Sequence, residues 1–389
     1  MPRGSFAEIA PWSVLANVED DWRTLQRACP EASPFLTWTW VSTWMRCIAG
    51  QFEPLVFRFV DRQGPIALGA LVLRKERGGS ILTSRRVLRL LETGDPELDE
   101  VTVEYAALLC REERASEAYA KLFQALADEG LRWDQWRLSA TLHANQLARA
   151  LPEGTALFSA RAVSDYSVAL DELRAAGRTF LQAVPAKTRR KLSAAYRHYE
   201  QIGPVQLHQA TDLPTAIAHL DELQRLHQAH WTAKGKPGAF ASRFFSEFHH
   251  AFLERALRED LVHVSRVTAG QTVIGYKYNL MHAGTEFGYL TGLDYEALPG
   301  RNQPGFVVNA CVIEAALNRG LRTYRFMAGD QDYKKALSTH RRQVRDVVVF
   351  RRRLRGAVES RFRRLLRRQA LEYLPPGAAT TTVDYQIRH

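Results

Sequence analysis

The chain has 389 residues, which is long for one average domain and comfortable for two of about 150–200 residues each. Hydrophobic residues make up 46% of it, enough for two cores, yet no apolar run approaches the roughly 18–20 residues that a membrane span needs. The net charge of +11 is lopsided: Arg351 to Arg368 holds nine arginines against one glutamate, so the basicity belongs to one C-terminal segment and does not argue for a nucleic-acid-binding enzyme.

The N-terminus, Met1-Pro2-Arg3-Gly4-Ser5, lacks the basic start and apolar core of a secretory signal, so a cytoplasmic protein is expected. A first hairpin runs from Pro54 to Val60, turns at Asp61-Arg62-Gln63-Gly64 and returns from Ile66 to Leu73. A helix follows from Ala115 to Glu129, with Ala118, Leu122, Ala125 and Leu126 at helical spacing. It ends at Gly130 and leads into a strand, Asp134 to Leu138. A strand near Tyr166 to Leu170 is expected to open a second unit. Helices are expected from Phe180 to Gln201 (broken at Pro185), Leu213 to Ala233 and Phe244 to Arg258. The first carries Lys187, Arg189, Arg190, Lys191 and Arg197.

The pattern then repeats. A second hairpin occupies Leu261 to Val267 and Val273 to Met281, a helix Phe306 to Asn318 ends at Gly320, and a strand follows from Thr323 to Met327. Recurrence of this order at a separation of roughly 190–205 residues marks a duplicated α/β domain, not a short-period solenoid. The division expected is 1–163, 164–350 and a tail of 351–389. A strand at Val347 to Phe350 precedes an arginine-rich helix, Arg351 to Leu374, with an apolar stripe of Leu354, Val358, Phe362, Leu365, Ala370 and Tyr373. That helix suits docking on the second domain, or contact with an anionic membrane surface or acidic partner.

Cys29, Cys47, Cys110 and Cys311 are scattered, with no Cys/His cluster at zinc spacing, so buried thiols and no metal are expected. No Gly-x-Ser-x-Gly elbow appears. The chemistry-bearing stretch is Tyr289-Leu290-Thr291-Gly292-Leu293, then Arg301-Asn302-Gln303-Pro304-Gly305, then the helix from Phe306. A strand feeding a Gly-containing loop that opens a helix suits an anion, because the helix start offers free N–H groups and the positive end of its dipole. Arg301 adds a cationic fork.

With Gly329-Asp330 and Tyr333-Lys334 after the next strand, this stretch resembles the GNAT acyltransferases. More narrowly it is similar to the large CelD-like (cellulose-biosynthesis-type) double-GNAT group, related to the Fem peptidyltransferases. Leu226-His227-Gln228-Ala229-His230-Trp231, Gly235-Lys236-Pro237-Gly238 and Ser33-Pro34-Phe35-Leu36-Thr37-Trp38 carry the same likeness. The resemblance implies a mixed α/β fold of tandem duplicated GNAT-like domains, each a mixed twisted sheet flanked by helices. Only the second would hold a donor site; the acidic Leu91–Glu97 loop of the first would repel a pyrophosphate.

The resemblance implies that Leu290 to Leu293, Gly292 included, bind a pantetheine arm. The pyrophosphate would rest on Arg301, Gln303, Gly305 and the N–H groups of Phe306 and Val307. Tyr333 would protonate the departing thiolate. His227, Asp330 and Asp332 are base candidates, while Trp231, Tyr278, Tyr289, Asp332 and Lys334 are candidates for holding the acceptor. The loop departs from the family's Gln/Arg-x-x-Gly-x-Gly/Ala pattern, since Gly305 falls one place late and Phe306 stands last. The expected activity is acyl-CoA-dependent N-acyltransfer, with acetyl-CoA or another acyl-CoA as donor and a small-molecule, sugar or amino-acid amine as acceptor. The alternatives are a Fem-like aminoacyl-tRNA-dependent transferase, with tRNA as its nucleic-acid partner, and a non-catalytic accessory protein of polysaccharide biosynthesis.

Overall fold

The structure, a computed structural model, describes residues 5–77, 84–101, 104–297 and 303–351, together with the backbone of 385–387. The arginine-rich helix beyond Arg351, and Arg301 of the loop, lie outside the described residues.

The first unit comprises β1 (Phe6–Pro11), α1 (Val18–Ala28), α2 (Trp38–Ile48), β2 (Leu55–Asp61), β3 (Gly64–Arg77), β4 (Ser84–Leu90), β5 (Leu109–Cys110), α3 (Ala115–Asp128), β6 (Gln135–Thr141), α4 (Ala144–Ala150) and β7 (Thr155–Ala169). Helices α5 (Leu170–Ala175), α6 (Phe180–Ala183) and α7 (Ala186–Glu200) connect it onward. The second unit comprises β8 (Val205–Gln209), α8 (Leu213–Ala233), α9 (Arg243–Ala256), β9 (Val262–Ala269), β10 (Thr272–His282), β11 (Thr285–Leu293), α10 (Pro304–Asn318), β12 (Thr323–Ala328), α11 (Asp332–Leu337) and β13 (His340–Arg351), with β14 (Tyr385–Ile387) beyond. The duplicated order is therefore present, with the short β5 extra in the first unit: strand, two helices, three strands, helix, strand, helix, strand. Local chemistry sets the ends. Asp212 accepts a 2.8 Å hydrogen bond from the Thr215 N–H to cap α8, and Ser242 caps α9 through the Phe245 N–H.

All strands among the described residues join one sheet, ordered β1-β2-β3-β4-β6-β13-β7-β12-β11-β10-β9-β8, with β5 on β3 and β14 on β7. Most neighbours are antiparallel; β4 with β6 and β11 with β12 are parallel. Each unit ends in a strand that lies beside the other unit. β13 pairs with β6, while β7 pairs with β12. The strand expected to open the second unit at Tyr166–Leu170 is instead the end of the 15-residue β7, which runs through position 163 without a break.

One face of the sheet carries α1, α2, α8 and α9 over a single aromatic core shared by both units. Trp40 packs edge-on against Phe248 at 4.9 Å and Phe252 at 5.0 Å. On the other face α3 covers the first unit, and α10 with α7 covers the second.

Candidate active site

Strands β11 and β12 are in register only from Thr285 to Phe287 and from Thr323 to Arg325, after which they part. A bulge at Tyr278/Asn279 opposite β11 marks the divergence. The gap is kept open by glycines. A Cβ on Gly288 would lie 2.6 Å from the Tyr324 hydroxyl, and one on Gly292 would lie 2.6 Å from the Leu223 carbonyl of α8. Lys277 points into the same place. It is 3% exposed, donates to Thr291 Oγ1 at 2.7 Å, and burial pulls its pKa down to about 7.

At the open end stands the start of α10. Pro304 occupies its first turn and Gln303, in a left-handed conformation, gives no side-chain cap. Gly305 approaches Leu293 closely. The Phe306 and Val307 N–H groups, expected to face an anion, donate to the Gln303 carbonyl at 3.0 and 3.4 Å. The helix start thus offers chiefly the positive end of its dipole. A cation not connected to this place by sequence also arrives: Lys191 of α7 lies 4.0 Å from the centre of the Phe306 ring.

Opposite β11, the chain leaves β12 and turns at Gly329 into α11. Tyr333 sits at the surface of the gap, edge-on to Phe326, and burial followed by the nearby Glu104 charge pushes its hydroxyl up to about 12. Asp330 accepts a 3.4 Å hydrogen bond from the Tyr166 hydroxyl. Lys334 is buried and donates to the carbonyls of Met327 at 3.1 Å and Ala328 at 2.6 Å, so it pins the end of β12. Asp332 is fully exposed and pairs with Lys335 at 3.8 Å.

Sequence reasoning missed Glu104. This side chain reaches in from the first unit and accepts a 2.6 Å hydrogen bond from the Ala328 N–H. Burial pushes its carboxyl up to about 7, against the pull of that N–H and of Lys334. The available signal was one acid amid the apolar residues Val101, Tyr105, Ala106 and Ala107.

His227 and Trp231 lie elsewhere. His227 Nε2 accepts from the Trp231 indole N–H at 2.9 Å, and burial pulls its pKa down to about 4. Its ring is therefore neutral near pH 7, with that nitrogen already engaged. Its partners, Trp231, Phe240 and Gln228, do not belong to the Tyr333 group. Tyr278 is buried and Tyr289 half-buried against His249 and Trp40 in the shared aromatic core, and Leu290 is buried beside them. Cys311 meets the Tyr196 hydroxyl at 3.2 Å, and burial pushes its thiol up to about 11, which suits a packing role.

The matching gap of the first unit, where β4 and β6 part after Arg89 and Arg137, contains the protein's own chain. The Ala106 N–H donates to the Ser139 carbonyl at 3.1 Å, and Leu108 fills the space over Gly69. In the loop after β4, the N–H groups of Thr93 and Gly94 both donate to Asp99 at 2.7 Å. An internal carboxylate takes the donors that could hold an anion.

Residues 186–335 match the family model described as an acetyltransferase (GNAT) domain. Over those residues the chain is similar to a GNAT domain. No curated protein sequence matches the chain. Among solved structures, FemX is similar over 91% of this chain and 99% of its own at 8% identity, with a TM-score of 0.56. The C-terminal domain of a putative lysylphosphatidylglycerol synthetase from Agrobacterium fabrum is similar over 90% and 96% at 10% identity, with a TM-score of 0.50. A tandem GNAT protein from the clavulanic acid biosynthesis pathway is similar over 90% and 100% at 14% identity and a TM-score of 0.43. At such identities the likeness is one of fold. Among the described residues no group of three or more His, Cys, Asp or Glu side chains could hold a metal ion, and no helix is long and apolar enough to cross a membrane.

Proposed function

We propose that this protein is an N-acyltransferase of the CelD-like double-GNAT kind, moving an acyl group (acetyl in the simplest case) from coenzyme A to a small-molecule, sugar or amino-acid amine. The observation that carries the reading is the open gap between β11 and β12 in the second unit, with the start of α10 at its mouth and Glu104 and Tyr333 on its flank. The matching gap in the first unit is filled. The first unit contributes Glu104 to the second instead.

The chemistry follows from the groups present. The acceptor amine attacks the thioester carbonyl, forming the C–N bond through a tetrahedral oxyanion. Glu104 takes the ammonium proton; a carboxyl titrating near 7 is matched to that task. As the C–S bond breaks, Tyr333 gives its proton to the thiolate, and the proton on Glu104 then passes to Tyr333, directly or through solvent, which restores both groups. Tyr333 is protonated throughout the neutral range because its hydroxyl is pushed up to about 12. Lys334 positions the Ala328 amide that orients Glu104. His227 is a poorer base than Glu104, since its pKa is pulled down to about 4 and its Nε2 is engaged.

Calorimetry with acetyl-, butyryl- and palmitoyl-CoA tests the reading: binding is expected, and Lys191→Glu should weaken it about tenfold, in line with a lost cation at a helix start. Heat with none of the three would reject it. One observation favours a second donor, aminoacyl-tRNA. Lys187, Arg189, Arg190, Lys191 and Arg197 are all exposed on α7, which leads to the mouth of the gap. Affinity for tRNA that falls steeply with salt and depends on these residues would support that donor over coenzyme A.

A further inference from the structure

A second cleft opens at the closed end of the gap, on the face that carries the shared aromatic core. It is a recess partly open to solvent. Its walls come from both units: Tyr105 and His143 from the first, Phe287, Arg325 and Arg342 from the second, with exposed Glu31 at the rim. Phe287 and Arg325 are the last registered pair of β11 and β12.

Charge is unbalanced in its floor. Asp165, with 0% exposure, accepts hydrogen bonds from Arg325 Nη1 at 3.0 Å, Arg342 Nε at 2.5 Å and the Tyr105 hydroxyl at 2.9 Å. Two guanidiniums thus share one carboxylate. Arg342 also lies over the Tyr105 ring at 5.4 Å. A guanidinium has five N–H donors, and Asp165 engages one from each. Arg325 and Arg342 remain 21% and 37% exposed, toward the cleft that they line. His143 is neutral, because burial pulls its pKa down, so it adds no positive charge.

A floor short of one negative charge fits a monoanion held by planar forks, which is a carboxylate. A phosphate dianion would overshoot, and Glu31 at the rim would oppose it. The neighbouring residue, Glu104, is the base of the proposed reaction. We infer that the acceptor is an aminocarboxylate, such as an amino acid, with its carboxylate on Arg325 and Arg342 and its amine directed to Glu104. This rests on the acyl-transfer reading above.

The test uses the full chain, acetyl-CoA, and a set of amino acids from glycine to lysine with their carboxamides. Free acids should be acylated with a KM at least about tenfold below that of the amides, as loss of a charge-assisted fork requires. Arg342→Gln should raise the KM for free acids about 10- to 100-fold. It should raise the KM for amides less, and leave the Kd for acetyl-CoA within about twofold, since the donor does not use the fork. Arg342→Lys, which keeps the charge and loses the fork, should fall between and also shows that the fold tolerates change here. Equal use of acids and amides by the natural protein would overturn the inference, as would preference for phosphoethanolamine. If no acyl-CoA binds, the acyl-transfer reading fails by itself. Calorimetry with the free amino acids then decides the cleft: binding that Arg342→Gln abolishes supports it, and no binding overturns it.

Discussion

Glu104 and Lys277 flank the same gap, and burial moves both toward neutrality from opposite directions. Glu104→Gln removes the proposed base but keeps a group that can accept from the Ala328 N–H. It should lower kcat about 10²- to 10⁴-fold without changing acyl-CoA affinity. In the natural protein kcat/KM should rise with pH through about 7, as the carboxyl loses its proton, and this limb should vanish in the variant. Lys277 makes a prediction about stability. Its folded pKa of about 7 lies below the unfolded value of roughly 10.4, so above pH 7 the unfolded chain binds the extra proton. The stability lost to this group is therefore greatest below pH 7 and recovered between about 7 and 10. Lys277→Met should stabilise the fold by about 1–3 kcal/mol at pH 6 and by little at pH 10. Urea titrations at the two pH values check the sign.

Among elements, the seating of α8 on β11 decides how wide the gap stands. Gly292 has the backbone of Leu223 where a Cβ would go, and a backbone carbonyl cannot swing aside as a side chain can. Gly292→Ala should cost about 1–3 kcal/mol and weaken donor binding as α8 is pushed from the strand. Gly50 is the control: nothing lies within 4 Å of its Cβ position, so Gly50→Ala should leave the urea midpoint nearly unchanged. Lys191 acts at the same scale, because it brings α7 onto the start of α10 through the Phe306 ring.

The whole molecule is held by exchange of strands. β13 completes the first unit beside β6, β7 completes the second beside β12, and Trp40 locks α2 onto α9 across the shared core. Unfolding should therefore be one transition. Seven of the eight tryptophans lie in the first unit, so fluorescence follows that unit while circular dichroism follows both. Coincident guanidinium curves are expected, and two separated transitions would contradict the exchange. A fragment ending at residue 163 loses β13 and the end of β7, which leaves β6 with an unpaired edge. It should be insoluble or unfolded when expressed alone.

The sequence by itself determined the local elements and their repetition. Hairpins, the Gly-terminated helices α3 and α10, and α8 follow from hydrophobic period and end chemistry, which are properties of adjacent residues. The order of strand, loop, helix, strand and tyrosine that carries the GNAT resemblance was also legible, because its parts follow one another along the chain. What it could not show depends on partners far away along the chain. Lys334 reads as a residue for holding the acceptor until the carbonyls of Met327 and Ala328 are seen to hold it, and Tyr278 reads as a cleft residue until the aromatic core closes over it. Glu104 joins the second unit through Ala328, more than 200 residues later, and Arg325 and Arg342 meet at Asp165 only because β7, β12 and β13 are neighbours. Local periodicity fixes an element because its causes are local. Burial and charge balance, which set these groups' chemistry, exist only once the sheet has brought the two units together.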